Sequence, residues 1–269
     1  MNRKLLVLDL DGTLTNSKKE VTQYTKDTIR KMQNQGHIVA IATGRPTPGA
    51  WPVANELNLR ETGGYILSYN GGKITDCKTE EVIFEQTLSP EITKELFRLA
   101  DELELCLLTY DKTGILVNKI HNQYIDIEAR INKLPVKHIE DMVNYIDFPV
   151  VKCLGTIDPE LAPDVMKKYE EKFGDVLSVG RSEPYFIELM PKGIDKAASI
   201  ERLCQKIGIT RENVIACGDG FNDISMIEYV GLGVAMSNAQ EVVKKAADYI
   251  TASNDEDGVA KVIEKFILK

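Results

Sequence analysis

The sequence predicts an α/β fold in which a Rossmann-like parallel sheet is interrupted by an inserted α+β unit. Two apolar runs come first. Leu5-Leu6-Val7-Leu8 ends in Asp9 and Asp11, and Ile38-Val39-Ala40-Ile41-Ala42 ends in Thr43-Gly44-Arg45. A helical stretch joins them, and strand, helix and strand in that order make a parallel pair with a right-handed crossover. After Pro191 the alternation resumes, whereas the stretch between is rich in hairpin signals. We therefore expect a core from residues 1–85 and 190–269, with an inserted lobe of residues 86–189.

Each element has its own warrant. Residues 22–35 read as an amphipathic helix opened by Thr22, with Tyr24, Ile29 and Met32 as inward positions and Gly36 as its stop. Tyr65–Tyr69 reads as a strand, and Asn70-Gly71 after it as a hairpin turn. Ser89-Pro90 opens a helix to about Glu104; strands at 105–110 and 114–118 flank a turn, and a helix covers 121–133. Strand 150–157, helix 159–173 and strands 176–180 and 185–189 complete the inserted lobe. Helix 196–207, strand Asn213–Cys217, helix 222–229, strand Leu232–Ala235, helix 239–247 and strand Tyr249–Thr251 return to the core pattern.

Composition narrows the function. The chain has 269 residues, 43% of them hydrophobic, enough for a large core in two lobes. With 33 basic and 41 acidic residues the formal charge is −8, and no basic run could track a phosphate backbone, so nucleic acid is not expected as a partner. The five cysteines, Cys77, Cys106, Cys153, Cys204 and Cys217, are scattered without Cys-x-x-Cys spacing and read as reduced core residues. Met1-Asn2-Arg3-Lys4 superficially resembles a leader, but Asp9 and Asp11 interrupt the apolar run too early, and nothing approaches membrane-spanning length. A cytoplasmic enzyme is expected.

The chemistry gathers at strand ends. Ligands of open parallel sheets bind beyond the carboxyl ends of the strands. Asp9 and Asp11 sit at one such end, and Gly218-Asp219-Gly220-Phe221-Asn222-Asp223 at another, with Asp219 and Asp223 spaced to face one side. Either motif alone has a bland reading as an acidic turn or helix cap. Carboxylates collected without histidine or cysteine select a hard divalent ion, and Mg²⁺ suits them best. Thr43 offers a hydroxyl and Gly44 an approachable N–H to a phosphate oxygen. Lys196 begins a helix, where the dipole does not call for a lysine; Lys192 reads as a solvated surface lysine.

Asp9-Leu10-Asp11-Gly12-Thr13, Thr43-Gly44-Arg45, Gly193-Ile194-Asp195-Lys196 and Gly218–Asp223 together resemble the four ordered motifs of haloacid-dehalogenase-superfamily (HAD) phosphatases. The insert and Ser68-Tyr69-Asn70-Gly71-Gly72 resemble the Cof-type subfamily with a type II-B cap, although its frequent Asn-Gly-Ala here reads Asn-Gly-Gly. The resemblance implies that Asp9 attacks phosphorus to form an aspartyl-phosphate, with Asp11 as general acid-base. By the same resemblance Leu10, Thr43, Gly44, Lys196 and Asn222 hold the phosphate. Asp9, the Asp11 backbone carbonyl, Asp219 and Asp223 serve Mg²⁺, with Asp223 bound directly or supporting from behind.

The leading expectation is a Mg²⁺-dependent phosphatase acting on small phosphorylated metabolites such as sugar phosphates. A phosphosugar mutase is the alternative, and a non-catalytic binder of phosphorylated ligands a weaker one. Arg45 either reaches a substrate's polar groups or pairs with an acidic neighbour, the commoner fate of an arginine. Tyr110, Tyr124 and Tyr185 could meet a sugar or a flavin, but strand and helix tyrosines more often pack.

Overall fold

The structure is a computed structural model and describes residues 3–118 and 120–268. Residues 1, 2 and 269, which include the leader-like start and the outer ends of the expected core, lie outside the described residues. The chain divides into two compact units, one running to Phe84 and resuming at Asp195, the other Glu85–Ile194. In chain order the strands are β1 (Leu5–Leu8), β2 (Ile38–Ala42), β3 (Gly64–Ser68), β4 (Lys73–Asp76) and β5 (Val82–Glu85). There follow β6 (Cys106–Tyr110), β7 (Ile115–Val117), β8 (Val136–His138), β9 (Cys153–Thr156), β10 (Leu177–Glu183) and β11 (Phe186–Pro191). The last are β12 (Val214–Gly218), β13 (Leu232–Ala235) and β14 (Tyr249–Ile250).

The first unit is built on an eight-stranded sheet in the order β14-β13-β12-β1-β2-β3-β4-β5. From β14 to β3 neighbours are parallel, and β3–β4 is an antiparallel hairpin. Strand β1 is central, with Leu5 opposite both Val214 and Ile38. Its residues alternate between two cores: Leu6 and Leu8 join Ile29, Met32 and Ile263 on one face, Leu5 and Val7 join Ile200, Leu203 and Met226 on the other. An uninterrupted apolar run is what a strand covered on both faces requires.

Helix Gln23–Asn34 is capped by Thr22, whose hydroxyl accepts from Thr25 N–H, and buries Thr25, Thr28, Ile29 and Met32. Tyr24 does not point inward as expected: it is exposed, and its hydroxyl donates to Glu264 on helix Gly258–Phe266 at 2.6 Å. A phenol rim with a carboxylate in reach satisfies its polar tip better at the surface than in the core. Helix Thr47–Glu56 was not expected. Pro48 sits in its first turn, where no N–H is needed, but Pro52 lies inside it and removes a donor.

The second unit has a six-stranded sheet in the order β10-β11-β9-β6-β7-β8. Helices Pro90–Glu102 and Ala162–Phe173 bury Leu96, Phe97, Tyr169 and Phe173 in one core with Leu107, Cys153 and Ile187 of the sheet. Strand β8 and the short helix Met142–Tyr145 are additions to the expected elements. Tyr110 is buried and donates to Glu128 at 2.6 Å, while Tyr124 and Tyr185 stack at 4.7 Å. All five cysteines are free and buried. Among the described residues no helix is long and apolar enough to cross a membrane.

Candidate active site

Every expected site residue belongs to the first unit, at the carboxyl ends of β1, β2 and β12 or at the start of helix Lys196–Ile207. Lys196 is at the centre. Its ammonium is fully buried and donates to Asp9 at 2.7 Å and to Asp223 at 2.6 Å. Burial disfavours its charge, but Asp223 and Asp9 outweigh that and hold it above the ordinary lysine range. The surface-lysine reading fails for this residue: a lysine is buried only when paired.

Asp223 is committed on both oxygens. Oδ1 faces Lys196, and Oδ2 accepts the backbone N–H groups of Asp219 and Gly220, each at 2.9 Å. Asp219 is oriented by Thr13, whose hydroxyl donates to its Oδ1 at 2.7 Å. Gly12 makes that approach possible: it has φ +88°, and a Cβ there would lie 2.3 Å from Asp219 Oδ2. Asp9, Asp219 and Asp223 each place one carboxylate oxygen within 4.8 Å of the others.

Three carboxylates against one ammonium leave an excess of negative charge in a partly desolvated site. Burial drives the Asp9 carboxyl well above its usual range, Lys196 opposes this, and Asp223 and Asp219 push it further up. Burial likewise lifts Asp219, against the Thr13 hydrogen bond, to about 6. A nucleophilic Asp9 needs the opposite condition. A divalent cation among these oxygens would restore it, and an all-oxygen donor set suits a hard ion. The residues therefore fit such a metal.

Asp11 stands apart from that cluster. Arg45 donates to both its oxygens at 2.7 Å, and Lys19 adds a third contact at 2.8 Å. Burial works against its ionised form, but the Arg45 guanidinium overrides it and brings the carboxyl down to about 2. Of the two fates open to Arg45, pairing with an acidic neighbour is the one observed, and the neighbour is Asp11.

Leu10 is buried, its carbonyl accepting both the N–H and the hydroxyl of Thr15. Thr43 accepts the Arg45 N–H on its hydroxyl at 3.2 Å and the Asn70 N–H on its carbonyl at 2.9 Å. Asn222 is exposed and donates its amide to Asn70 Oδ1 at 3.0 Å. Thr43 and Asn222 are thus joined through Asn70, while Asp9, Lys196, Asp219 and Asp223 touch directly. The sequence reading did not assign parts to Thr13, Lys19 and Asn70. Thr13 and Asn70 lie inside quoted motifs, whereas nothing in the sequence marked Lys19.

A family model for haloacid dehalogenase-like hydrolase matches residues 6–263. The chain belongs to this family. Like the family's phosphatases it is a hydrolase of phosphoric monoesters, built on the HAD core with a cap domain. Among the HAD relatives, the Bacillus subtilis 5-amino-6-(5-phospho-D-ribitylamino)uracil phosphatase YcsE is 33% identical over 98% of this chain and 96% of its own. A haloacid dehalogenase-like hydrolase from Bacteroides thetaiotaomicron superposes with a TM-score of 0.95 at 48% identity, covering 99% of this chain and 100% of the other. The HAD subclass IIB sugar phosphatase BT4131 gives 0.83 at 27% identity, covering 98% of each chain.

Proposed function

We propose that this HAD phosphatase hydrolyses small phosphorylated metabolites, sugar phosphates foremost, with Asp9 as nucleophile and Mg²⁺ as cofactor. The observation that carries the proposal is the buried Lys196 bridging Asp9 and Asp223 beside Asp219. The Lys196 ammonium, with a divalent cation drawn by the surplus carboxylates, would place positive charge where a phosphoryl group develops negative charge. Support for the substrate class comes from BT4131, a sugar phosphatase, and from YcsE, whose substrate carries a phosphorylated ribityl chain.

In the first half-reaction an Asp9 carboxylate oxygen forms a bond to phosphorus as the ester P–O bond breaks, and Asp11 supplies the proton that the leaving oxygen takes. In the second, Asp11 takes a proton from water as that water attacks phosphorus, and the Asp9 carboxylate and inorganic phosphate are released. As found, with Arg45 and Lys19 on its oxygens, Asp11 is in the base form that the second half requires. Acting as the acid requires that grip to loosen. Thr43, Gly44, Lys196 and Asn222, with the Leu10 backbone, hold the phosphate oxygens. Asp9 and Asp219, with the Asp11 carbonyl, would hold the metal, and Asp223, occupied on both oxygens, positions Lys196 and the Asp219 loop. The metal, when bound, supplies charge neutralisation at the phosphoryl oxygens.

The test is phosphate release from a panel of sugar phosphates, phosphorylated cofactors and an aryl phosphate, with Mg²⁺ or chelator, for the native chain and Asp9→Asn. Metal-dependent turnover abolished by Asp9→Asn is expected. Undiminished turnover in that variant would remove Asp9 from the chemistry, and phosphoryl transfer to sugar without phosphate release would make the enzyme a mutase.

A further inference from the structure

The turn between β3 and β4 is not the ordinary hairpin its Asn-Gly suggests. Tyr69, Asn70 and Gly71 take positive φ in succession, 52°, 55° and 97°. For a bulky residue such as Tyr69 this is a rare conformation, of the kind that persists only where the surroundings hold it and that clusters at functional sites.

Its surroundings are three of the four phosphatase motifs. Tyr69 N–H donates to Arg45 O at 3.0 Å and Asn70 N–H to Thr43 O at 2.9 Å, so the turn carries the loop after β2 on its backbone. A Cβ on Gly71 would lie 2.7 Å from Asp195 O and from Ser199, so the turn also abuts the first turn of the helix that bears Lys196. The Asn70 side-chain oxygen accepts the Asn222 amide at 3.0 Å, and lies 3.2 Å from where a Cβ on Gly44 would sit. Asn70 is therefore the residue at which the second and fourth motifs meet.

We propose that Asn70 is a positioning residue for phosphoryl transfer. Its side-chain oxygen fixes the Asn222 amide beside the Thr43–Gly44 loop, so that the amide's other N–H is directed to the phosphate. The inference rests on the reading of Asn222, Thr43 and Gly44 as phosphate-holding groups. Asn222 is exposed and its side chain would otherwise sample several rotamers; one hydrogen bond to a half-buried, backbone-locked partner removes that freedom before substrate arrives. The strained turn supplies the rigidity, because Asn is among the few non-glycine residues that tolerate a left-handed backbone and also carry an acceptor.

The test compares Asn70→Gly, Asn222→Ala and the double variant by kcat/KM, by inhibition with inorganic phosphate and by thermal unfolding. Glycine suits the left-handed backbone, so Asn70→Gly is expected to fold with an unchanged or raised Tm. It is expected to lose about 3- to 10-fold in kcat/KM and to bind inorganic phosphate correspondingly less well, the scale of one neutral hydrogen bond. In the Asn222→Ala background the same change is expected to cost nothing further. A full additional loss in the double variant, or native kcat/KM and phosphate inhibition in Asn70→Gly, overturns the positioning role alone. Native kinetics in Asn222→Ala overturns the phosphate reading of Asn222 and this inference with it.

Discussion

Arg45 grips the carboxylate of Asp11 by both oxygens, Nε on Oδ2 and Nη2 on Oδ1, each at 2.7 Å. A planar fork on a carboxylate is among the stronger pairings a protein makes. Asp11 is lowered in the folded state, so the stability it contributes is present above its unfolded value near 3.8 and is lost as pH falls through about 2. Because a third of the Asp11 side chain is exposed, the contribution is discounted to about 1–2 kcal/mol. Arg45→Gln is expected to be less stable than native by that amount at pH 7, with the gap closing in acid. A gap that stays constant in urea titrations from pH 7 to pH 2.5 would refute the pairing as its source.

Asp219 behaves in the opposite sense. Its folded value of about 6 lies above the unfolded one, so in metal-free protein it favours folding most below about 4 and loses that contribution as pH rises through 6. Metal binding requires the ionised form, so apparent Mg²⁺ affinity should weaken by about tenfold per pH unit below 6 for each proton displaced. The Mg²⁺-induced rise in Tm should therefore be larger at pH 7.5 than at pH 5. An increment independent of pH would exclude Asp219 as a ligand.

Thr13→Val removes the hydroxyl that bonds Asp219 without changing side-chain shape much. Since that bond lowers the Asp219 carboxyl, the variant should push it above 6. Mg²⁺ requirement should then rise several-fold at pH 6 and much less at pH 8, measured as the metal concentration giving half-maximal phosphate release. Equal effects at the two pH values would mean that Thr13 acts only through packing.

Lys196→Met leaves Asp9 and Asp223 buried without their shared cation, a change expected to cost about 3–5 kcal/mol. Added Mg²⁺ should recover part of that loss in urea unfolding while phosphate release stays abolished. A variant as stable as the native chain without metal would show that the two ion pairs do not hold the site.

Gly12→Ala forces a side chain onto Asp219 and a non-glycine residue to φ +88°. A loss of at least about 2 kcal/mol is expected from strain and clash together, with weakened Mg²⁺ stabilisation. Calorimetry with and without the ion separates the two, and an unchanged Mg²⁺ increment would show that Asp219 had moved freely aside.

The sequence announced the parts of the fold whose local chemistry is unambiguous. Strands β1, β2 and β12 are apolar throughout because both faces are covered, and Thr22 and Ser89 cap the helices that they precede. Helix Thr47–Glu56 was hidden by Pro48 and Pro52, since local propensity weighs prolines that the packed helix tolerates. The residues that the fold gathers at the candidate site, Asp9, Lys196, Asp219 and Asp223, were legible because motifs carried them. The links between motifs were not: Thr13 meets Asp219 and Asn70 meets Asn222 across long stretches of chain, and only the folded sheet makes them neighbours.

The central pairing of the first sheet sets Leu5 opposite Val214, on either side of the whole inserted unit. A chain emerging from the ribosome therefore holds β1 long before β12, the strand that must lie beside it. The inserted unit has all six strands of its own sheet within Glu85–Ile194 and can complete its contacts first. Translation order thus sets a waiting interval in which β1 and β2 are made but one edge of β1 is still unpaired. A strand edge exposed in that interval is where misassembly of this enzyme would begin.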